Sequence, residues 1–285
     1  MIEVIAPGPY ATVQDLGRPG YGHLGVPRSG AADAPSLRLA NRLVGNPESA
    51  AGIELTFGGA RFRFTTGAWV AVTGAPCPLE PLWPGRAAVP GMGAPFWVPA
   101  GGEIRAAAPS AGLRTYVAVR GGVDTPAVMG SRSTDSLSGL GPPPLRPGTV
   151  LPVGPTGGLP PLTVDAAPPR AAPPDVLRIL PGPRDDWFVP GALAALCARP
   201  YQVSQNSNRV GVRLEGARLE RAREGELPSE GMVAGALQVP PDGQPIVFLA
   251  DHPPTGGYPV IAVLVSADLA GAAQLRPGDR LRFHM

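Results

Sequence analysis

Glycine and proline, 39 of each in 285 residues, interrupt this chain so often that few helices of ordinary length fit between them. Punctuation at that density raises the question of disorder, but 44% of the residues are hydrophobic, enough for a chain of this length to bury a substantial core. An apolar chain broken this often reads as many short strands joined by tight turns, so the expected fold class is mainly β with a few short helices. The runs RFRF (61–64), WVAVT (69–73) and RLRF (280–283) alternate or run apolar over strand lengths. Helices are expected at three places. The first spans 34–44 behind Asp33 as N-cap, with Leu37, Ala40, Leu43 and Val44 as its apolar stripe and Gly45 closing it. A second spans 190–198 with proline at its start, and a third follows Ser266 and ends before Arg276.

The two halves of the chain rhyme. VIAPGP (4–9) and ILPGP (179–183) each read as a strand that turns, and RTYVAVRGG (114–122) and VIAVLVSAD (260–268) read as matching buried strands. LRPGTVL (145–151) and LRPGDRL (275–281) each place a Pro-Gly turn ahead of an expected edge strand. Two related β-rich domains follow from this, 1–154 and a shorter 176–285, joined by an extended, semi-rigid Pro-rich linker over 155–175.

The formal net charge is +2 and arginine is spread over both halves, so no nucleic-acid partner is expected. The chain contains no lysine. A Schiff-base lysine, a phosphate-loop lysine and a biotinyl-lysine are therefore excluded within it, and no covalent cofactor is expected. Cys77 and Cys197 form no Cys-x-x-Cys pair, which fits two small apolar residues in a reducing compartment. The start MIEVIAPGPYATVQD lacks a signal-peptide pattern, and no run approaches the roughly 20 apolar residues of a membrane span. A cytoplasmic location without membrane contact is expected.

Four loops carry the polar candidates. In SEGMVAGALQVPPDGQPIVFLADHPPTGGYP (229–259), Gly and Pro specify loop shape around a buried-strand run at 246–250, and Glu230, Gln238, Asp251, His252, Thr255 and Tyr258 are the polar groups on offer. The alternative is a set of tight turns closing a β-barrel. GRPGYGHLGVPRSGAAD (17–33) offers Arg18, Ser29 and Asp33, the last also a plain helix cap. GSRSTD (130–135) sets Arg132 among the hydroxyls of Ser131, Ser133 and Thr134, a combination suited to a carboxylate or phosphate. SQNSNR (204–209) adds the Asn208 amide and the Arg209 guanidinium. Convergent groups of these types could grip a small polar acid or amide. Gly20, Gly22 and Gly25 match Gly-x-Gly-x-x-Gly, but Pro27 and Gly30 interrupt the helix a dinucleotide site needs. With three histidines, of which His23 and His252 read as turn or core residues, no metal site and no Ser-His-Asp triad is expected.

Several ordered motifs carry a family resemblance: TVQDLGRPGYGHLGVPRSGAAD (12–33), YVAVRGGVDTPAVMGSRST (116–134), SNRVGVRLEG (207–216), SEGMVAGALQVPPDGQPIVFLAD (229–251) and TGGYP (255–259). Together they resemble the biotin-dependent carboxyltransferase or allophanate hydrolase subunit 2 family, which includes KipA and the C subunit of bacterial ATP-dependent 5-oxoprolinase. The resemblance implies a pair of cyclophilin-like β-barrels, association with a KipI-like B subunit, and the presence of an A subunit in the complete 5-oxoprolinase. In urea carboxylases a related segment belongs to the carboxyltransferase domain, where biotin serves as carrier; without lysine, this chain could use biotin only in trans. Relatives commonly have Gln-Thr before Thr-Gly-Gly-Tyr-Pro and Lys after it, where this chain has Pro253, Pro254 and Val260.

The leading expectation is thus a component of an ATP-dependent amide hydrolase, inactive alone, that opens the cyclic amide 5-oxoproline to glutamate with ATP bound together with its partners. Arg132 and Arg209 are candidates for a carboxylate or phosphoryl group, Asn208 and Gln238 for the amide, and Glu230 or Asp251 for proton transfer. Arg18, Ser131, Thr255 and Tyr258 complete the candidate binding residues. The alternatives are a carboxyltransferase component acting on urea or a similar amide, and a non-catalytic antagonist that binds a KipI-like inhibitor of a histidine kinase.

Overall fold

The computed structural model describes residues 1–84, 91–163, 166–168 and 175–285. The chain divides into two compact units, the first made of Met1–Arg18, Asp33–Asp135 and Gly139–Ala172, the second of Pro19–Ala32, Ser136–Ser138 and Pro173–Met285. Two short stretches of the N-terminal half, 19–32 and 136–138, therefore group with the second unit, and the stretch from 155 to 172 groups with the first. Of the expected linker, residues 164–165 and 169–174 lie outside the described residues.

The first unit holds β1 (Ile2–Pro7), β2 (Tyr10–Gln14), helix α1 (Ala34–Leu43), β3 (Gly52–Thr56), β4 (Ala60–Phe64), β5 (Ala68–Gly74), β6 (Leu79–Leu82), β7 (Pro95–Val98), β8 (Glu103–Ala106), β9 (Arg114–Val119) and β10 (Val150–Leu151). They form two five-stranded antiparallel sheets, ordered β10-β1-β4-β8-β6 and β2-β3-β9-β5-β7. Ile2, Val4, Phe62, Phe64 and Ile104 of one sheet share a core with Val13, Ile53, Val70, Val72 and Val117 of the other. The period-2 pattern of RFRF works as expected: Phe62 and Phe64 face that core, while Arg61 and Arg63 face outward and pair with Glu103. In β5 both faces are buried, Val70 and Val72 toward the core and Ala71 toward α1, which explains its continuous apolar run.

Helix α1 forms where its cap predicts. The Asp33 carboxylate accepts from Ser36 N at 3.2 Å and from Ser36 Oγ at 2.7 Å, and Gly45 follows the helix with φ +67°. Its Ala40 and Leu43 pack with Val44 against Ala71 and Ala118. Each fully buried side chain of Leu or Val size contributes about 1.5–3 kcal/mol there.

The second unit holds β11 (Val176–Pro181), helix α2 (Ala192–Ala198), β12 (Tyr201–Val203), β13 (Gly211–Glu215), β14 (Glu230–Gly231), β15 (Ala236–Gln238), β16 (Ile246–Phe248), β17 (Thr255–Gly256), β18 (Val260–Leu264), helix α3 (Leu269–Ala272) and β19 (Arg280–His284). Seven of these strands close a barrel in the order β11-β18-β15-β16-β13-β12-β19, sealed by the parallel pairing of β11 with β19. Leu177, Ile179, Leu214, Leu237, Val247, Ile261 and Phe283 fill it. Strand β14 pairs with β17 as a separate two-stranded ribbon. The strand after LRPGTVL, β10, lies at a sheet edge as expected, but the strand after LRPGDRL does not. Closure gives β19 a partner on each side, β11 and β12, and so leaves it no free edge. Helix α2 starts two residues later than expected because Gly191, at φ +88°, occupies the N-cap position.

The repeated Pro-Gly-Pro turns share a physical cause, the close approach of another backbone. A Cβ on Gly8 would lie 2.0 Å from Gly58 O, and one on Gly182 would lie 2.4 Å from Val260 O and 2.7 Å from Ala262 N. Gly182 N meanwhile donates to Ile261 O at 2.8 Å, so β11 cannot step away from β18. Substituting Gly182→Ala is predicted to destabilise the protein by about 2–4 kcal/mol through this backbone clash. Equilibrium denaturant unfolding measures it, and an unchanged midpoint would refute the close-approach account.

Candidate functional site

The most heavily bonded carboxylate of the second unit is Asp251, three residues past the end of β16. It is fully buried and accepts five hydrogen bonds. Ser29 Oγ (2.7 Å) and Arg209 Nη2 (3.0 Å) reach Oδ1; Ser136 N (3.0 Å), Ser136 Oγ (2.6 Å) and Arg209 Nε (2.9 Å) reach Oδ2. Arg209 Nη2 also donates to Gly30 O at 2.6 Å. A buried carboxylate and guanidinium are each costly to desolvate, and the bidentate pairing with extra donors offsets that penalty. Ser29 holds a left-handed φ of +53°, unusual outside glycine and fixed here by its hydroxyl's bond to Asp251. Burial by itself would raise the Asp251 pKa; the Arg209 charge, with hydrogen bonds from Arg209, Ser136 and Ser29, outweighs it and holds the carboxyl below its ordinary value. With both oxygens occupied and no exposure, Asp251 positions loops and is not placed to carry a proton to a ligand.

A second group gathers around the TGGYP segment. Glu230 in β14 lies opposite Gly256 in β17, so the ribbon clips the two ends of the 229–259 segment together. Arg184, just past the Pro-Gly-Pro turn, donates to both Glu230 oxygens and holds that carboxyl below its ordinary value. Glu230 is thus an ionised acceptor at neutral pH. Gln238 is buried, and its Nε2 donates to Tyr258 O at 3.1 Å; a Cβ on Gly256 would lie 2.7 Å from that nitrogen. Thr255 is exposed, and the Tyr258 ring lies under the Arg221 guanidinium, 5.7 Å from its centroid. A carboxylate-bearing strand and a buried amide therefore lie beside the glycine loop that carries Thr255 and Tyr258, residue types suited to holding a small polar molecule by hydrogen bonds.

The remaining candidates fall elsewhere. In the first unit Asp15 is the hub: its carboxylate accepts from Ser131 Oγ (2.6 Å), Ser133 Oγ (2.5 Å), Arg132 N (2.6 Å) and Gly17 N (2.8 Å). The Arg132 guanidinium turns away to Asp124 at 2.6 Å. Arg18 is buried against Ser133 O, with its Nη1 3.9 Å from Asp135 and no hydrogen-bond partner. Asn208 uses its Oδ1 on its own loop, accepting from Val210 N and Gly211 N, which spends its acceptor on loop shape. Sequence reasoning passed over Asp15, Ser136 and Arg184, although each lies in or beside a quoted motif or repeat, and over Arg221, which lies between the motifs at 207–216 and 229–259. A partner distant in sequence is what gives each its role, and spacing carries no trace of it. His252 Nδ1 lies 2.8 Å from Pro253 O, a local turn contact. Burial pushes the Cys77 thiol up to about 11, so it is no ready nucleophile. Among the described residues no group of three or more His, Cys, Asp or Glu side chains could hold a metal ion, and no helix is long and apolar enough to cross a membrane.

Asp251→Asn leaves the Arg209 charge buried without a counter-ion, and a loss of about 3–5 kcal/mol in unfolding free energy is predicted at pH 7. Because the folded-state pKa of Asp251 is depressed, its stabilisation is present above the unfolded carboxyl value near ~4 and is lost as pH falls through the folded one. The gap between wild type and variant should therefore shrink in acid. Denaturant midpoints measured from pH 7 down to pH 3 check this, and a gap that widens in acid would overturn it.

Residues 24–285 match the family model of the carboxyltransferase domain, subdomain A and B. The chain is similar to the 5-oxoprolinase C subunit of Escherichia coli (strain K12), 39% identical over 99% of this chain and 90% of that one. It is also similar to urea amidolyase of Lachancea kluyveri, 36% identical over 99% of this chain but only 17% of that enzyme. Among solved structures, TTHA0988 superposes with a TM-score of 0.88 at 37% identity, covering 100% of this chain and 56% of that one. The Kluyveromyces lactis urea carboxylase superposes with a TM-score of 0.85 at 31% identity, covering 99% of this chain and 27% of that one. The chain thus spans little more than half of the TTHA0988 chain and smaller parts of the urea enzymes. By these matches, over nearly its whole length, the chain belongs to the family of the carboxyltransferase domain, subdomain A and B.

Proposed function

We propose that this chain is the C subunit of an ATP-dependent 5-oxoprolinase and, with A and B subunits, opens 5-oxoproline to glutamate. The observation that carries the reading is the similarity to the 5-oxoprolinase C subunit, which takes in nearly the whole of both chains. An amide is a poor electrophile because its nitrogen lone pair is delocalised into the carbonyl. Phosphoryl transfer from ATP to the amide oxygen activates the carbonyl carbon; water adds there, the C–N bond breaks as the ring nitrogen takes up a proton, and the acyl phosphate that remains is hydrolysed by a second water to the carboxylate and phosphate. The Gln238, Glu230, Thr255 and Tyr258 group suits this chemistry. Gln238 orients the lactam, Thr255 and Tyr258 offer hydroxyls to the substrate carboxylate, and Glu230, kept ionised by Arg184, accepts a proton from the attacking water. Arg209 and Asp251 hold loops in place without touching substrate.

A second reading, carboxyl transfer to urea or a similar amide, is favoured by the similarity to urea amidolyase and by the fold shared with urea carboxylase. Since the chain has no lysine, biotin would arrive on another polypeptide. Under the 5-oxoprolinase reading, glutamate release from 5-oxoproline is expected only with ATP and both A and B subunits present. Glu230→Gln is expected to lower kcat on the order of 10²-fold while leaving assembly of the three subunits intact. Enzymatic glutamate quantification and size-exclusion chromatography check both. No turnover in the complete set would sink the 5-oxoprolinase reading, and inhibition by avidin would replace it with the carboxyltransferase one.

A further inference from the structure

Next to the TGGYP group, on the far side of Arg221, the second unit contains a cavity of about 690 Å³ between the 218–226 loop and the turn that includes Pro241 and Gly243. Three guanidinium groups line it. Arg223 is already neutralised by Asp186 at 2.9 Å. Arg218 and Arg221 have no carboxylate within ion-pair distance among the described residues, and both are held by backbone carbonyls instead. Arg218 Nε donates to Asp242 O at 2.8 Å, which fixes the guanidinium plane and leaves its two terminal nitrogens unused. Arg221 donates to Val239 O and Gly225 O, while its buried Nε has no partner. Burial lowers the Arg221 pKa, and the nearby Tyr258, Glu226 and Asp242 offset that only in part.

The same cavity carries Glu220, Glu224 and Glu226, all exposed, none of them in an ion pair among the described residues. A guanidinium whose terminal nitrogens are free, as on Arg218, is suited to bidentate capture of a carboxylate. Carboxylates around the same opening repel a simple anion and attract a cationic group on the same ligand. We propose that this cavity binds a small zwitterion of the α-amino acid class, its carboxylate on Arg218 and its ammonium toward the glutamates. Phosphates and other polyanions are disfavoured by the three carboxylates. The Arg221 guanidinium packs over the Tyr258 ring, and Leu227 N donates to Gly257 O at 2.9 Å, so an occupant of the cavity bears on the TGGYP loop.

The test is isothermal titration of the full chain with glycine and with L-glutamate, with acetate, methylammonium and inorganic phosphate as controls. One-to-one binding of an amino acid, at least about tenfold tighter than any control, is expected. Arg218 is exposed, so Arg218→Gln should keep the fold, checked by thermal melting, and weaken the amino acid by about tenfold. Glu224→Gln should weaken the amino acid and strengthen acetate. No amino-acid binding, binding unchanged in Arg218→Gln, or phosphate binding tighter than the amino acid would each overturn the proposal. None of these measurements requires turnover, so the outcome is independent of the 5-oxoprolinase reading.

Discussion

The second unit depends on one buried ion pair, Arg209 with Asp251. Neither charge could remain in that dry environment alone, and together they collect two hydroxyls, a backbone amide and a backbone carbonyl from residues far away in sequence. Ser29, Gly30 and Ser136 come from the N-terminal half of the chain, yet their bonds to this pair lie inside the second unit. The pair thus explains why two short stretches leave their sequence neighbours. It also turns a residue that looks catalytic on paper into a positioning one, because a carboxylate saturated by five donors has no lone pair left for a substrate.

Around that anchor, glycine and proline act through close approach as much as through flexibility. Gly182 lets β11 lie against β18, and the chain leaving this turn delivers Arg184 to Glu230. Gly256 leaves room for the Gln238 amide, which holds Tyr258 O. Closure of the barrel through the β11–β19 pair then makes these contacts mutually dependent, since no strand can shift register without opening the ring.

Much of the fold was legible from the sequence because its signals are local. The Asp33 cap, the RFRF alternation and the repeated Pro-Gly-Pro turns each act within a few residues and appear where expected, and the buried strands expected over 114–122 and 260–268 form over 114–119 and 260–264. The edge assignment of 280–284 failed because pairing on both sides is a property of the closed ring and leaves no mark in the strand itself. Candidate site residues were named loop by loop, and their grouping was not foreseeable. Glu230, Gln238, Thr255 and Tyr258 come together, whereas Arg18, Ser131 and Arg132 surround Asp15 in the other unit.

The sequence alone determined a mainly β chain, the absence of any lysine chemistry, and motif loops that place the chain in its family. Those follow from composition, periodicity and short-range turn chemistry, which act along the chain. Tertiary structure alone decided which polar groups are spent on holding the fold and which remain available. That choice rests on desolvation and on partners more than a hundred residues apart, as with Ser29, Ser136 and Asp251, and only folding brings such partners within hydrogen-bond reach.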